Sequence, residues 1–157
     1  MYITREKLLK VFPRAKSLIL DCIDNNHKAF DDAGVNTPIR LVHFFAQVGH
    51  ESWGLTKLEE LGNSDEFKGR GLIQLTGRDN YVWIGKLLGV ALAQDPELVA
   101  ESPYLLTTAL EFWKRLELNT LADRDWPKKI TRVINGGYNG LDSRMNYVRL
   151  LKQVLLN

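Results

Sequence analysis

Apolar residues recurring at three-and-four spacing organise most of this chain into helices. Leu41, Phe44 and Val48 line one helical face, and Glu51 extends the same stripe. Reading the period together with its start and stop signals predicts helices over about 4–11, 14–33 (ending near Gly34), 38–52, 79–88, 96–100, 103–117, 127–135 and 142–156. Thr37-Pro38, Asp95-Pro96 and Ser102-Pro103 each set a capping side chain ahead of a proline suited to the first helical position. Asp142 or Ser143 is the expected cap of the last helix. Only the stretch from Phe67 to Gly77 departs from this, with glycine turns around a short β-capable run. The pattern predicts a mainly α fold with a short β-hairpin or extended segment near 67–76.

The end of the 38–52 helix carries the first candidate chemistry. The charged form of a carboxyl held against apolar side chains is penalised by desolvation, so Glu51 has the setting a general acid needs. A second carboxylate follows at Glu59 or Glu60. On one straight helix Glu51 and Glu60 would lie on opposite faces, roughly 13 Å apart along the axis, and could not share a bond. Gly54 tolerates positive φ, so it is the expected place for the chain to turn back. Spacing leaves Glu59 and Glu60 as equal rivals.

At 157 residues and 45% hydrophobic content, the chain is long enough for one real core, and residues 1–157 read as a single domain. A net charge of +2, with basic residues interspersed among 19 acids, gives no sign of nucleic-acid recognition. Cys22 is the only cysteine, which excludes an intramolecular disulfide, and its apolar neighbours predict burial in a helix. No apolar run approaches a membrane span and the N-terminus has no signal-peptide core, so a soluble cytosolic monomer is expected.

Other chemistries fail on spacing. His50-Glu51 begins like a zinc-protease motif, but Gly54 stands where the second histidine belongs. His43 and His50 are about 10 Å apart on a helix, too far to share a metal, and read as packed or hydrogen-bonded histidines. The Gly69–Gln74 stretch lacks the last glycine of a dinucleotide fingerprint, and Ser52 lacks the glycine of a nucleophile elbow.

Three ordered blocks carry a resemblance: Gln47-Val48-Gly49-His50-Glu51-Ser52, the stretch Gly69-Arg70-Gly71-Leu72-Ile73-Gln74-Leu75-Thr76-Gly77-Arg78-Asp79-Asn80-Tyr81, and Ile134-Asn135-Gly136-Gly137-Tyr138-Asn139-Gly140. Together they resemble the signature blocks of family 19 glycoside hydrolases, which include plant-type chitinases and many bacteriophage endolysins. The resemblance implies an α+β, lysozyme-like domain and runs from about Pro38 to Tyr147. It makes Glu51 the general acid and Glu60, rather than Glu59, the general base of an inverting hydrolysis, with the carboxyls roughly 6.5–9.5 Å apart. Thr76 would help hold the attacking water, Gln74 and Asn80 would line the sugar cleft, and Asn135 would contact sugar. Arg144 would interact with the base carboxylate. Trp53, Tyr81 and Tyr138 are candidate sugar-stacking rings. No metal or organic cofactor is implied.

Two departures from the family pattern stand out. Trp53 sits where glycine is common, and only Leu61–Glu66 joins Glu60 to the Phe67 block, where many relatives carry a long helical insertion. The short connection predicts an open cleft with few subsites. The endolysin-like resemblance makes bacterial peptidoglycan the expected target, cut during host lysis. On that view the protein waits in the host cytoplasm and reaches the wall through a holin or similar route. The alternatives are a chitinase acting on chitin oligomers and an inactive glycan-binding relative.

Overall fold

Thr37 and Pro38 start the helix around which the others pack. The Thr37 hydroxyl accepts from Arg40 N at 3.4 Å, and the proline fills the first helical position, where its missing N–H costs nothing. In the computed structural model, which describes all 157 residues, this helix is α4 (Pro38–Glu51). Before it come α1 (Arg5–Val11), α2 (Ser17–Asn25) and α3 (His27–Asp32). After it come α5 (Arg78–Leu88), a 3₁₀ turn (Pro96–Ala100), α6 (Tyr104–Arg115), α7 (Leu118–Asp123), α8 (Pro127–Asn135) and α9 (Leu141–Leu155).

Residues 41–49 of α4 are all buried, so this helix has no solvent face over most of its length. Its apolar side meets an aromatic cluster in which Phe44 packs edge-on against Phe30, Phe45 and Trp113, with ring centroids 5.4–5.8 Å apart. Such pairs add about 0.5–1.5 kcal/mol each beyond area burial. Its other side carries His43, Gln47 and Glu51 at successive four-residue steps, and it is this polar row that meets α8, α9 and the turn before α8. The most extensive packing between two helices is that of α4 against α9. A single cluster of 36 buried apolar residues joins all the helices, as the one-core reading requires.

The chain is mainly α, and α4, α5, α8 and α9 lie within a residue of their expected bounds. The expected 14–33 helix is two: Asn26, at φ −128° and ψ 39°, breaks it between α2 and α3. Asn26 bonds its own Nδ2 to Cys22 O at 2.7 Å, the local backbone competition that makes asparagine a poor helix interior. The expected 103–117 helix stops at Arg115, and α7 follows after Glu117, a left-handed position at φ 55°. Three capping expectations fail: Asp95 and Ser102 make no capping bond, and α9 starts from Gly140 at φ 70°. Ser143 instead meets His50 Nδ1 at 3.0 Å. Cys22 is buried in α2, as expected.

His43 is fully buried, with Nε2 2.8 Å from Asp125 Oδ1. Burial holds its pKa below the ordinary 6.5 despite the aspartate, and burial followed by the Arg144 charge does the same for His50. In the unfolded chain both titrate near 6.5, so at mildly acidic pH the unfolded state binds protons that the folded state refuses. Their contribution to stability is intact above pH 6.5 and is lost as pH falls through the lower folded values. The thermal midpoint is therefore expected to drop between about pH 7 and pH 5, above the main carboxylate range. A midpoint flat across that window by scanning calorimetry would contradict the assignment.

Candidate active site

The turn after α4 decides where the second carboxylate goes. Trp53, Gly54 and Leu55 take φ values of 53°, 74° and 61°, three left-handed residues in a row. Ser52 braces them, its hydroxyl donating to Val48 O at 2.6 Å and accepting from Leu55 N at 3.0 Å. Gly54 N closes the helix end onto Gly49 O at 2.7 Å. The left-handed backbone at position 53 also explains why a glycine is at home there. Trp53 holds it at a conformational cost of order 1 kcal/mol. Buried Leu55 anchors the far side, accepting from Lys16 N at 3.0 Å.

The chain then returns as a strip of minimal β structure. Gly71 N donates to Leu58 O and Glu60 N donates to Gly69 O, both at 2.8 Å, while Arg70 and Leu75 exchange both of their backbone bonds. The β-capable run thus forms isolated antiparallel bridges, Glu59 to Arg70 and Arg70 to Leu75, rather than a full hairpin. This strip and the end of α4 enclose a cleft of about 630 Å³. Glu51, Glu60, Gln74, Thr76, Asn80, Asn135 and Trp53 all line it.

Glu59 and Glu60 both reach this cleft, in different company. Glu59 sits 3.6 Å from Arg70 Nε and 3.7 Å from Lys68 Nζ, between two cations. Glu60 has no cationic partner. Its Oε2 accepts from Gly69 N and from Asn63 Nδ2, both at 3.1 Å, so the short 61–66 connection itself orients the carboxylate. That connection is tied by Asn63 Oδ1 to Asp65 N and by Asp65 Oδ1 to Phe67 N.

Glu51 does not end in the apolar sleeve expected for it. Its Oε1 accepts from Arg144 Nη2 at 2.9 Å, and the guanidinium, 1% exposed, also donates to Gln47 Oε1 at 2.5 Å and to Asn139 O at 3.2 Å. Gln47 Nε2 in turn donates to Thr131 on α8 at 3.2 Å. Arg144 was expected against the base carboxylate and is found instead on Glu51, because α9 packs directly along α4. It lies beneath the cleft and does not line it.

Thr76 and Asn80 make no capping bond to α5, whose N-cap is Gly77. Thr76 Oγ1 donates to Gln74 O at 2.8 Å, and Asn80 Nδ2 donates to Thr76 O at 3.0 Å, so both stiffen the loop above the helix. Gly69 makes this crowding feasible: a Cβ there would lie 2.8 Å from Gln74 Oε1 and 3.2 Å from Thr76 Oγ1. Asn135 Oδ1 accepts from Asn139 N at 3.2 Å, ordering the Asn-Gly-Gly turn.

Two expected sugar-stacking rings are elsewhere. Tyr81 is wholly buried, donating to Lys68 O at 2.6 Å and accepting from Arg70 at 3.0 Å, so it supports the strip from below. Tyr138 is exposed but lies outside the cleft, beside Lys128 and Arg132. Lys57, with Nζ 3.6 Å over the Trp53 ring, and Ile73, Phe112 and Ile134 line the cleft without having been expected there. Ile73 and Ile134 sit inside the signature blocks and were legible as neighbours. Phe112 on α6 had no local signal. No group of three or more His, Cys, Asp or Glu side chains is placed to hold a metal ion.

A family model described as chitinase class I matches residues 56–125. That range holds Glu60, Gln74, Thr76 and Asn80 and leaves Glu51 and Asn135 outside. A glycosyl hydrolase family 19 domain-containing protein of Haemophilus influenzae is 31% identical over 200 aligned positions, covering 96% of each chain. The chain belongs to family 19 of the glycoside hydrolases. Because that alignment is longer than the 157 residues present here, the Haemophilus relative carries segments that this family member lacks. An endochitinase of Arabidopsis thaliana is 35% identical over 123 residues, 65% of this chain and 43% of that one. Acidic endochitinase Q of tobacco is 28% identical and is covered over 65% of its length, so the chain spans less than two thirds of these plant relatives. Chitinase C from Streptomyces griseus superposes with a TM-score of 0.83 at 22% identity, over 99% of this chain and 77% of that one. A second bacterial family 19 chitinase gives 0.80 at 23% identity, over 98% and 94%. These structures share the family 19 fold.

The Arg144 pair yields a stability prediction. Removing the carboxylate in Glu51→Ala leaves a buried guanidinium facing no anion, which for a fully buried pair costs roughly 3–5 kcal/mol. Glu51 is one-fifth exposed, so about 2–3 kcal/mol is expected after discounting for solvent. Glu51→Gln keeps an acceptor oxygen and should cost less. Urea unfolding of the two variants checks the order, and equal stabilities would show that Arg144 does not depend on this partner.

Proposed function

We propose that this protein is an endolysin-type family 19 hydrolase. It cuts the β-1,4 glycan strand of bacterial peptidoglycan with inversion, using Glu51 as general acid and Glu60 as general base. The observation that carries the reading is that two carboxylates nine residues apart, in unlike settings, open onto one cleft beside Thr76. Glu60 accepts only neutral donors and keeps lone pairs for a water proton, whereas Glu59 lies between two cations. The Thr76 hydroxyl spends its proton on Gln74 O, so towards a water it acts as an acceptor. A water between them gives one proton to Glu60 and directs the other at Thr76, turning its lone pair towards the anomeric carbon. Glu51 protonates the departing glycosidic oxygen from the other side, and Arg144 and Gln47 hold it in register. Gln74, Asn80 and Asn135 offer amides to sugar hydroxyls and acetamido groups. On this reading the enzyme stays in the host cytoplasm until a holin or similar route admits it to the wall.

A second reading, a chitinase acting on chitin oligomers, is favoured by the plant endochitinases and the bacterial chitinases that the chain resembles. Parallel assays on purified peptidoglycan and on chitin oligosaccharides separate the two. Faster release of reducing ends from peptidoglycan is expected, and turnover of chitin alone would reverse the substrate assignment. Glu51→Gln and Glu60→Gln should each lose about 10²–10⁴-fold in kcat on the preferred substrate while still sedimenting with the polymer. Wild-type rates in the Glu60→Gln protein would remove it as the base. Products ending in a 1,6-anhydro sugar would exclude hydrolysis by water.

A further inference from the structure

One surface is left unused by the cleft chemistry. Between Arg124 and Gly140 the only acid is Asp125, and its carboxylate is already taken by His43 and by Lys152 Nζ at 2.5 Å. Arg124, Lys128, Lys129 and Arg132 are all exposed, and none is in an ion pair with a carboxylate. These four cations fall within nine residues of chain whose single acid is already paired, so this stretch of surface carries a local excess of positive charge.

The four cations are arranged around two exposed rings. Lys129 Nζ and Arg124 Cζ lie 4.3 and 5.0 Å from the Trp126 centroid, and Lys128 Nζ and Arg132 Cζ lie 5.1 and 5.7 Å from that of Tyr138. Exposed cation–π contacts are weak, so these cations are gathered near the rings yet free to exchange them for an anion. The spacing ties the group to the cleft. Lys128, Arg132 and Asn135 recur at i, i+4 and i+7 on α8, one helical face about 10 Å long, and its last member lines the cleft.

We propose that this face of α8 is a cationic continuation of the cleft that holds the carboxylates of an acidic glycan strand, with Tyr138 and Trp126 offering apolar rings to sugar faces. Peptidoglycan carries free carboxylates on its peptide stems, and on the lactyl group wherever a stem has been removed, and chitin carries none. A strand seated against Asn135 would run on over Arg132 and Lys128. The inference rests on the peptidoglycan reading given above, and it assigns the source of that preference to α8 rather than to the catalytic carboxylates.

The test compares wild type, Lys128→Gln/Arg132→Gln, and a charge-matched control, Lys10→Gln/Lys28→Gln, on α1 and α3. Each is measured for equilibrium binding to purified peptidoglycan, to peptidoglycan whose carboxylates have been amidated, and to anionic phospholipid vesicles. Turnover on peptidoglycan and on chitin oligosaccharides is followed in parallel. The α8 variant is expected to bind peptidoglycan about tenfold more weakly at low salt, with a shallower salt dependence and a wild-type unfolding midpoint. Its loss of turnover on peptidoglycan should exceed that on chitin at least fivefold, and the control should match wild type. Amidation should weaken wild-type binding to the level of the variant.

Equal wild-type binding to native and amidated walls overturns the inference and leaves the cleavage reading standing if peptidoglycan is still cut. Carboxylate-dependent binding without cleavage supports the inference and sinks the cleavage reading. Binding to vesicles as tight as to peptidoglycan, lost equally in the α8 variant, would make the face a general polyanion surface and overturn its assignment to the glycan.

Discussion

A buried guanidinium must be satisfied on every side, and in this protein that requirement fixes the active-site end of the fold. Arg144 donates to Glu51 and Gln47 on α4 and to the carbonyl of Asn139 in the loop before α9. Gln47 passes the constraint to Thr131 on α8, whose own hydroxyl is tied to Pro127 O. Three helices and the Asn-Gly-Gly loop are thereby registered around one charge. Arg144, Gln47 and Thr131 are buried, so a shift that separates them leaves a polar group unpaired at a cost of about 1–3 kcal/mol. The candidate acid is held by the same bonds that hold the helices.

Glu60 is held in the opposite way. The strip that carries it is closed by a few backbone bonds and two isolated bridges, and its carboxylate is oriented by a backbone N–H and a neighbouring asparagine in a six-residue connection. One wall of the cleft is thus part of the core, and the other is a light ribbon steadied by Tyr81 beneath it. The two walls differ in how many bonds tie them to the rest of the fold, the ribbon having fewer than the buried relay opposite it.

Much of this was legible in the sequence where local chemistry decides. Thr37-Pro38 fixed the start of α4, apolar spacing fixed its length, and Gly54 marked the turn. The resemblance marked Glu51, Glu60, Gln74, Thr76, Asn80 and Asn135, and all six line one cleft. What escaped depends on partners distant in the chain. Glu51 lies on the boundary between an apolar and a polar row of α4, and only the docking of α9 reveals that a guanidinium meets it. Tyr81 looks like a sugar platform until its hydroxyl is seen bonding Lys68 O in the core. Phe112 reaches the cleft from α6 with no sequence block to announce it. The break at Asn26 is local, but a single asparagine in an amphipathic run is a weak signal against twenty residues of favourable period.

The 61–66 connection has a consequence for how such enzymes diversify. Its two ends are already clamped together by Glu60 and Gly69, which exchange a backbone bond and a carboxylate bond across the neck of the loop. A loop with a preformed neck can lengthen cheaply, because each doubling adds only about 0.6 kcal/mol of closure entropy. Length inserted beyond Asn63 would extend the reach over the cleft while leaving the clamp, and with it the Glu60 carboxylate, where it is. The neck therefore works as a graft point, at which lineages can trade a compact, open hydrolase for one with a deeper groove without rebuilding the cleft.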